Sequence, residues 1–197
     1  MNAKPPYHDL SVIILSGGRS KRMGQDKGLL KGKEIRFVDQ AILTARSVSN
    51  NIFVSVGVHN ELFYNNLSEK VIVDVKDDLG PLGGIVSVLN HVHTPWFLVL
   101  SVDAPFVSTS SIQELWDNKQ KAEGIVFESK GRIHPLIGLY SLKTKSKWQA
   151  AMSNNKLKIT QIVESFHLQK LEAEKNHVSH LKNINTPLEY KMEFEVK

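Results

Sequence analysis

Short apolar runs alternate with segments of helical periodicity along most of the chain. The first strand is predicted at residues 11–15, where a continuous apolar run suits a sheet that is covered on both faces. Apolar residues then recur at three- and four-residue spacing over residues 35–48, which predicts a helix with one apolar face. Because this alternation continues, the pattern favours an α/β fold with a mostly parallel central sheet and helices on both faces.

The remaining predicted elements follow the same alternation. Further strands are predicted at residues 52–56, 71–73, 96–102, 124–128 and 132–140, with an edge strand at 168–171. Further helices are predicted at residues 61–67, 84–91, 112–121, 145–152 and 158–165. Ser111 is the expected N-cap of the helix at 112–121, with Glu114 as its capping-box partner. The last helix is expected to begin with Thr186 as N-cap, Pro187 at its first position and Glu189 as the capping-box partner.

The chain has 197 residues, enough for one well-buried core, and no linker, repeat or low-complexity run divides it. We therefore expect a flexible N-terminus at residues 1–10, a single domain at 11–190 and a solvated charged tail at 191–197. Cysteine is absent, so disulfides and thiolate metal sites are excluded. No apolar run approaches the ~20 residues that span a bilayer, and no signal peptide is visible. A cytoplasmic monomer without a membrane partner is expected.

The formal net charge is +5, and part of it is concentrated near the first strand. Six basic residues in that region are opposed only by Asp26 and Glu34: Arg19, Lys21, Arg22, Lys27, Lys31 and Lys33. This excess favours anionic partners. The basic residues are not interleaved with aromatic residues as in a stacking platform, so a small phosphorylated ligand is favoured over nucleic acid.

The first strand leads into a basic loop that contains several glycines, at residues 15–27. Glycine lets backbone N–H groups approach an anion closely, and Arg22 and Lys27 add positive charge at the same place. The pattern is typical of a phosphate-binding loop, with a solvated basic loop between a strand and a helix as the alternative. Gly24 is not followed by Lys-Ser/Thr, which excludes a Walker loop, and the glycine spacing excludes a dinucleotide fingerprint.

Asp103 follows the most strand-like run of the chain, residues 96–102. In open parallel sheets, ligands bind outside the carboxyl ends of the strands, so Asp103 and the loop at 15–27 should face one crevice. Mg²⁺ prefers hard oxygen ligands, which makes Asp103 the candidate metal ligand. The alternative role, a cap for the next helix, is disfavoured by the better-placed Ser111.

Three further features stand at the ends of predicted strands. Asp74 follows the third strand, and a second glycine-rich segment at residues 77–85 could lie close to a flat ligand or form an ordinary turn into a helix. His134 precedes Pro135 at the start of a strand, where it could bind substrate or play a structural role. No H-x-x-x-H pair supports a histidine-rich metal site.

These residue types suit nucleotidyl transfer, in which a nucleophile attacks the α-phosphorus of a nucleoside triphosphate and pyrophosphate leaves. Positioning and charge neutralisation supply most of that catalysis. Lys27 and Arg22 would stabilise the charge on the pyrophosphate, and Mg²⁺ on Asp103 would bridge phosphate oxygens. The attacking group can itself be a phosphate, which needs no strong base.

Five short motifs in a fixed order carry a resemblance to a known family. They are LSGG at 15–18 with RMG at 22–24 and DK at 26–27, GPLGG at 80–84, DAPF at 103–106, HP at 134–135 and NINTP at 183–187. Together they resemble the molybdenum cofactor guanylyltransferase family over about residues 11–190. One such motif would be weak, since the first loop recurs across many nucleotidyltransferases.

The resemblance implies a Rossmann-like nucleotidyltransferase fold and a reaction that joins GMP from GTP to molybdopterin carrying molybdenum. It implies that Lys27, Arg22 and Asp103 are catalytic, that Asp103 binds Mg²⁺, and that His134 and Asn185 lie on the molybdopterin side. It further implies partners that carry molybdopterin or mature molybdoenzymes. The residues implied in GTP binding are Leu15, Ser16, Gly17, Gly18, Lys27, Asp74, Gly80, Leu82 and Asp103.

Two positions depart from the family pattern, and several alternatives stay open. The family usually has Ala where Ser16 stands, and relatives can have an Asn in place of Ser55. The sister cytidylyltransferase tends to have Ala where Gly17 stands, so Gly17 favours guanine, with the motif at 80–84 as second support. Sugar-phosphate and terpenoid-precursor nucleotidyltransferases lack the NINTP ending. A non-catalytic nucleotide-binding regulator and a basic RNA-binding module are the alternatives from other classes.

Overall fold

The computed structural model describes residues 7–17, 23, 26–76, 78–173 and 178–195. The described strands are β1 (Leu10–Leu15), β2 (Asn51–Val56), β3 (Lys70–Val73), β4 (Trp96–Ser101), β5 (Gly124–Ser129), β6 (Arg132–Ser141) and β7 (Leu168–Glu172). The described α-helices are α1 (Phe37–Arg46), α2 (Gly80–Leu89), α3 (Thr109–Asp117), α4 (Lys145–Ser153), α5 (Ile159–Glu164) and α6 (Pro187–Phe194). Short 3₁₀ turns lie at Lys27–Leu29, Glu61–Tyr64 and Leu142–Thr144. Within these described ranges, no helix has both the length and the apolarity to cross a membrane.

The seven strands form one sheet in the order β3-β2-β1-β4-β6-β5-β7. Every pairing is parallel except those of β6, which runs antiparallel to β4 and to β5. The predicted α/β class and mostly parallel sheet are therefore confirmed. β1 lies inside the sheet between β2 and β4, and β7 is an edge strand, as the sequence predicted.

Helices cover both faces of the sheet because the central strands are apolar on both sides. In β1, Leu10, Val12 and Ile14 pack into one core with α1, α3 and α6. Ile13 and Leu15 face the other core, which is completed by α2, α4 and α5. All five side chains are at most 5% exposed, and full burial of such a side chain stabilises the fold by about 1.5–3 kcal/mol before the entropy cost.

The parallel arrangement brings the carboxyl ends of β1, β2, β3 and β4 to the same edge of the sheet. Ser16 and Asp74 directly follow β1 and β3, and Asp103 lies two residues beyond the end of β4. β6 runs in the opposite direction, so its first residues, including His134, lie at that same edge beside the end of β4. The sheet therefore places these predicted site residues at one edge.

Two helix starts differ from the prediction by three residues or more. α2 begins at Gly80 rather than at residue 84, so most of the second glycine-rich segment is the first turn of a helix, entered through Asp78 and Gly80 at φ of 67° and 56°. The N-cap of α3 is Ser108, not Ser111. Ser108 has extended backbone, as a cap requires, and its Oγ accepts a hydrogen bond from Ser111 N at 3.2 Å.

The described fold also extends further at both ends than the predicted domain. Tyr7 stacks on Trp116 with ring centroids 4.3 Å apart. α6 continues to Phe194, whose ring lies 5.5 Å from that of Phe37 and 5.6 Å from that of Phe106. The charged tail is therefore shorter than predicted, because aromatic packing anchors its first part. Residues 1–6 of the predicted N-terminus and 196–197 of the tail lie outside the described residues.

Candidate active site

Lys27 lies at the centre of a charged cluster that joins three distant parts of the chain. Its Nζ donates a hydrogen bond to Asn185 Oδ1 at 2.6 Å and lies 3.6 Å from Asp103 Oδ2. The side chains of Lys27 and Asp103 are only 18% and 17% exposed, so solvent screens their attraction weakly. The sequence predicted that Lys27 and Asp103 face one crevice, and the structure brings both together with Asn185.

Asp103 is held by the backbone that follows β4. Its carbonyl oxygen accepts a hydrogen bond from Ile184 N at 2.7 Å, which fixes the start of the NINTP segment against the end of β4. Its Oδ1 is buried and has no hydrogen-bond partner among the described residues. Since Ser108 caps α3, the alternative role of Asp103 as the cap of that helix is wrong.

The free oxygen of Asp103 fits a divalent metal. A buried acceptor without a partner costs about 1–3 kcal/mol, and a hard carboxylate oxygen is the ligand type that Mg²⁺ prefers. Of the residues that the structure describes, no three or more His, Cys, Asp or Glu form a group that could hold a metal. A single carboxylate agrees with the usual Mg²⁺ site of nucleotide enzymes, where substrate phosphates supply most other ligands.

The turn that carries Lys27 is fixed by the side chain of Asp26. Asp26 is the N-cap of the turn Lys27–Leu29, and its Oδ1 accepts hydrogen bonds from Gly28 N at 2.8 Å and from the Tyr64 hydroxyl at 2.9 Å. Its Oδ2 accepts a hydrogen bond from Asn60 Nδ2 at 2.6 Å. Burial raises the pKa of Asp26, while these three hydrogen bonds lower it.

Tyr64 connects this turn to the end of β1. Its hydroxyl lies 2.8 Å from Ser16 Oγ, and both side chains are buried. Burial raises the pKa of Tyr64 above its ordinary value, which keeps the hydroxyl protonated as a donor. A Cβ on Gly28 would lie 2.0 Å from Ser16 Oγ and 2.3 Å from the Tyr64 hydroxyl, so only glycine fits there. The sequence analysis missed Tyr64 and Asn60.

The ends of β1, β2 and β3 form a second polar group. Ser55 Oγ donates a hydrogen bond to Asp74 Oδ1 at 2.5 Å, and Ser16 N donates one to Ser55 O at 2.8 Å. A Cβ on Gly17 would lie 3.1 Å from both Asp74 Oδ2 and Gly57 N, so the backbone at Gly17 runs close beside the carboxylate. Four residues singled out from the sequence, Ser16, Gly17, Ser55 and Asp74, therefore meet here.

The start of α2 packs against this group. A Cβ on Gly84 would lie 2.4 Å from Ser55 Oγ and 3.0 Å from Leu15 Cδ2, which shows how closely the helix approaches β1 and β2. The side chains of Leu15 and Leu82, both predicted to contact GTP, are buried in the core. Any nucleotide contact by these two residues is therefore limited to backbone atoms. Gly80 is the first residue of α2, where helical N–H groups lack intrahelical partners.

A cleft of about 210 Å³ opens on the other side of Asp103. Its polar lining includes Asp103, His134, Thr160 and Asn183. Burial lowers the pKa of His134, so the imidazole is favoured in its neutral form. Thr160 and Asn183 were not identified as site residues from the sequence. Asn185, which was predicted on the molybdopterin side together with His134, bonds Lys27, and its assigned contact with the acceptor stays a prediction.

Two predicted site residues, Gly18 and Arg22, lie outside the described residues, as do the neighbouring Arg19 and Lys21. Their assigned contacts with the nucleotide stay predictions. The described part of the site thus consists of Lys27 and Asp103, a polar group on the β1–β3 side and a cleft on the β6 side.

Residues 12–170 match the family model of the MobA-like NTP transferase domain. A relative from Flavobacterium johnsoniae, named "Probable molybdenum cofactor guanylyltransferase", is 35% identical over 178 residues, which cover 90% of this chain and 92% of the relative. A relative of the same name from Clostridium perfringens (strain 13 / Type A) is 31% identical over 188 residues, with 91% and 93% covered. The solved structure of molybdopterin-guanine dinucleotide biosynthesis protein A from Archaeoglobus fulgidus superposes with a TM-score of 0.81 at 19% identity and covers 94% of this chain and 97% of that one. At that identity the structural likeness concerns the fold.

Proposed function

The chain belongs to the MobA-like NTP transferase family, and from that premise we propose that it transfers GMP from GTP to molybdopterin carrying molybdenum. Pyrophosphate is released, and the product is the molybdopterin guanine dinucleotide cofactor. The observation that carries the proposal is the partly buried Lys27–Asp103 pair, with one oxygen of Asp103 that has no hydrogen-bond partner among the described residues. Such a pair offers a cation for phosphate oxygens and a ligand for Mg²⁺ at the same place.

The reaction forms a bond between a phosphate oxygen of the acceptor and the α-phosphorus of GTP. The bond from the α-phosphorus to the α,β-bridging oxygen breaks, and its electrons leave with pyrophosphate. The second pKa of a phosphate monoester is about 6, so the phosphate of the acceptor is largely a dianion at neutral pH and needs no general base. This agrees with the charged rather than acid–base character of the pair formed by Lys27 and Asp103.

Lys27 is the residue best placed to bind the departing phosphates. Its ammonium carries three donors, of which one is directed at Asn185 Oδ1. The bond to Asn185 restrains the Lys27 ammonium beside Asp103. The metal, proposed as Mg²⁺ on Asp103, would supply further neutralisation of phosphate charge.

The two sides of the Lys27–Asp103 pair have different tasks in this proposal. On the β1–β3 side, the carboxylate of Asp74 offers an acceptor to N–H or O–H groups of the nucleoside, and the backbone at Gly17 allows close approach. On the β6 side, neutral His134 with Thr160 and Asn183 offers uncharged polar contacts to the acceptor. Proteins that carry molybdopterin or mature molybdoenzymes are the proposed source and destination of this acceptor.

Calorimetric titration with GTP, CTP and ATP in the presence of Mg²⁺ tests the nucleotide. We expect GTP to bind at least about tenfold more tightly than the others, which corresponds to about 1.4 kcal/mol. Lys27→Ala should weaken triphosphate binding, and Lys143→Ala, which removes an exposed lysine from the turn Leu142–Thr144, is the matched control. Preference for CTP would replace guanylyl by cytidylyl transfer, and no nucleotide binding would overturn the proposed enzyme.

Pyrophosphate release tests the acceptor. With GTP, Mg²⁺ and molybdenum-loaded molybdopterin, we expect one pyrophosphate for each guanine dinucleotide formed. A control without the acceptor should release none. Pyrophosphate release that does not depend on the acceptor would contradict the proposed reaction.

A further inference from the structure

A buried chain of hydrogen bonds joins the two ends of the first loop. It runs from Ser16 Oγ through the Tyr64 hydroxyl to Asp26 Oδ1, with distances of 2.8 and 2.9 Å. Ser16 directly follows β1, at the start of the loop, and Asp26 directly precedes Lys27 at its end. We refer to these three side chains as the Tyr64 clamp.

We propose that Tyr64 is a positioning residue for nucleotidyl transfer, which fixes Lys27 against the triphosphate by tying Asp26 to the end of β1. This inference rests on the proposed function, because it concerns how the same site is set for reaction. Tyr64 itself is buried behind the loop ends and acts through Asp26 and Ser16.

The donor pattern gives the clamp a single arrangement. Tyr64 has one hydroxyl proton, which it donates to the carboxylate of Asp26. Its oxygen therefore accepts the proton of Ser16, so that each hydroxyl donates towards the carboxylate. Hydrogen bonds in such a chain polarise one another, and charge-assisted bonds to a carboxylate are the stronger kind. Asn60 adds a donor to the second oxygen of Asp26.

The clamp reaches Lys27 through the backbone. The same Oδ1 that accepts from Tyr64 also accepts from Gly28 N at 2.8 Å, so Asp26 sets the direction in which the turn Lys27–Leu29 begins. Close packing of Gly28 against both hydroxyls leaves the turn little room to shift. Misplacement of a catalytic group by about 1 Å can lower the rate about 10²-fold. A small movement of Asp26 that displaces Lys27 Nζ would therefore lower kcat.

The experiment is a double-mutant cycle between Tyr64→Phe and Lys27→Ala. It measures kcat for pyrophosphate release and the Kd of the nucleoside triphosphate. The free energy of unfolding in urea is measured for each variant as well. We expect Tyr64→Phe to lower kcat about tenfold in the wild-type background and less than twofold in the Lys27→Ala background. A positioning residue loses its effect when the group that it positions is gone, whereas a structural residue does not.

Two variants keep the test decisive. Ser16→Ala removes the Ser16–Tyr64 hydrogen bond but leaves the bond from Tyr64 to Asp26, so it serves if Tyr64→Phe does not fold, with a smaller expected loss of kcat. Ser49→Ala is the matched control, because it removes another buried hydroxyl, which donates to Leu10 O at 2.5 Å at the opposite end of β1. It should leave kcat unchanged.

The possible outcomes separate the clamp from the proposed function. Equal losses of kcat in both backgrounds would overturn the positioning role. A wild type that uses CTP would overturn guanylyl transfer alone, since the cycle can then be measured with CTP. A wild type that binds no nucleotide would overturn both.

Discussion

At the scale of single residues, Asp103 is the most informative side chain. One carboxylate oxygen faces the Lys27 ammonium, and the other is buried with no partner in the described part of the protein. A buried unpaired acceptor is destabilising. In the proposed site, this oxygen would bind the metal.

Asp103→Asn should therefore separate activity from stability. We expect Mg²⁺-dependent pyrophosphate release to fall on the order of 10²–10³-fold, since an amide is a poor metal ligand and carries no charge. The free energy of unfolding should stay the same or rise, because a buried charge is removed. Asp39→Asn, which alters a surface ion pair with Arg36, is the control. Full turnover of Asp103→Asn would contradict the metal assignment.

His134 should make stability depend on pH. Burial lowers its pKa in the folded protein below the ordinary value of about 6.5. The neutral form is thus favoured by folding, so its contribution is present above pH ~6.5 and is lost as pH falls through the lowered folded pKa. We expect the unfolding free energy of wild type relative to His134→Gln to decrease between pH 8 and pH 5. The slope for one proton is at most about 1.4 kcal/mol per pH unit, and a pH-independent difference would refute the prediction.

At the scale of elements, the fit of α2 onto the sheet decides where the nucleoside side of the site lies. The helix begins at Gly80, and Gly84 meets Ser55 on β2 and Leu15 on β1. If residue 84 carried a side chain, α2 would have to lie further from the ends of β1 and β2. The helix would then no longer pack against the group that contains Asp74. In the segment at residues 80–84, Gly80 therefore allows the turn into the helix, and Gly84 allows the helix to pack closely on the sheet.

Gly84→Ala should destabilise the protein by about 1–3 kcal/mol, as expected for overpacking. In the Ser55→Ala background the loss should be smaller, since the 2.4 Å contact with Ser55 Oγ is removed. Gly32→Ala is the control, because its Cβ would meet only ordinary contacts from 3.5 Å outward. Urea unfolding of the four members of the cycle measures the coupling. Strictly additive losses would show that Ser55 does not limit the approach of α2.

The sequence predicted the strands well because continuous apolar runs ending in polar residues leave little freedom in their placement. The same reasoning placed Lys27 and Asp103 in one crevice, since strand ends of a parallel sheet share an edge. It missed the start of α2, where glycine was interpreted as loop and Pro81 as punctuation. It could not find Tyr64 or Asn60, because their bonds to Asp26 span 38 and 34 residues and depend on tertiary packing.

At the scale of the whole molecule, the antiparallel β6 divides the catalytic edge into two parts. The parallel β1–β4 side carries the glycine-rich segments, and the β6 side carries the cleft with His134. A ligand that binds at Lys27 and Asp103 touches elements from early, middle and late parts of the chain. Binding should therefore stabilise the fold as a unit.

GTP with Mg²⁺ should raise the melting temperature. At a ligand concentration of about 100 Kd the stabilisation is about 2.7 kcal/mol, and a chain of this length gains about 2–4 °C per kcal/mol. We expect an increase of about 5–10 °C in differential scanning fluorimetry, reduced in Lys27→Ala and retained in Lys143→Ala. An equal shift with CTP would contradict selectivity for guanine.

The attachment of the last helix also has a consequence for how the protein is made. Asn185 completes the contacts of Lys27, Ile184 N binds Asp103 O, and the Glu189 carboxylate accepts hydrogen bonds from the N–H groups of Asn185 and Thr186. A ribosome must therefore synthesise the chain past residue 189 before these contacts can form. A nascent or truncated polypeptide that ends earlier lacks the finished crevice, even if its sheet has already folded. We therefore expect copies of the chain that end before Asn185 to lack nucleotidyl transfer activity.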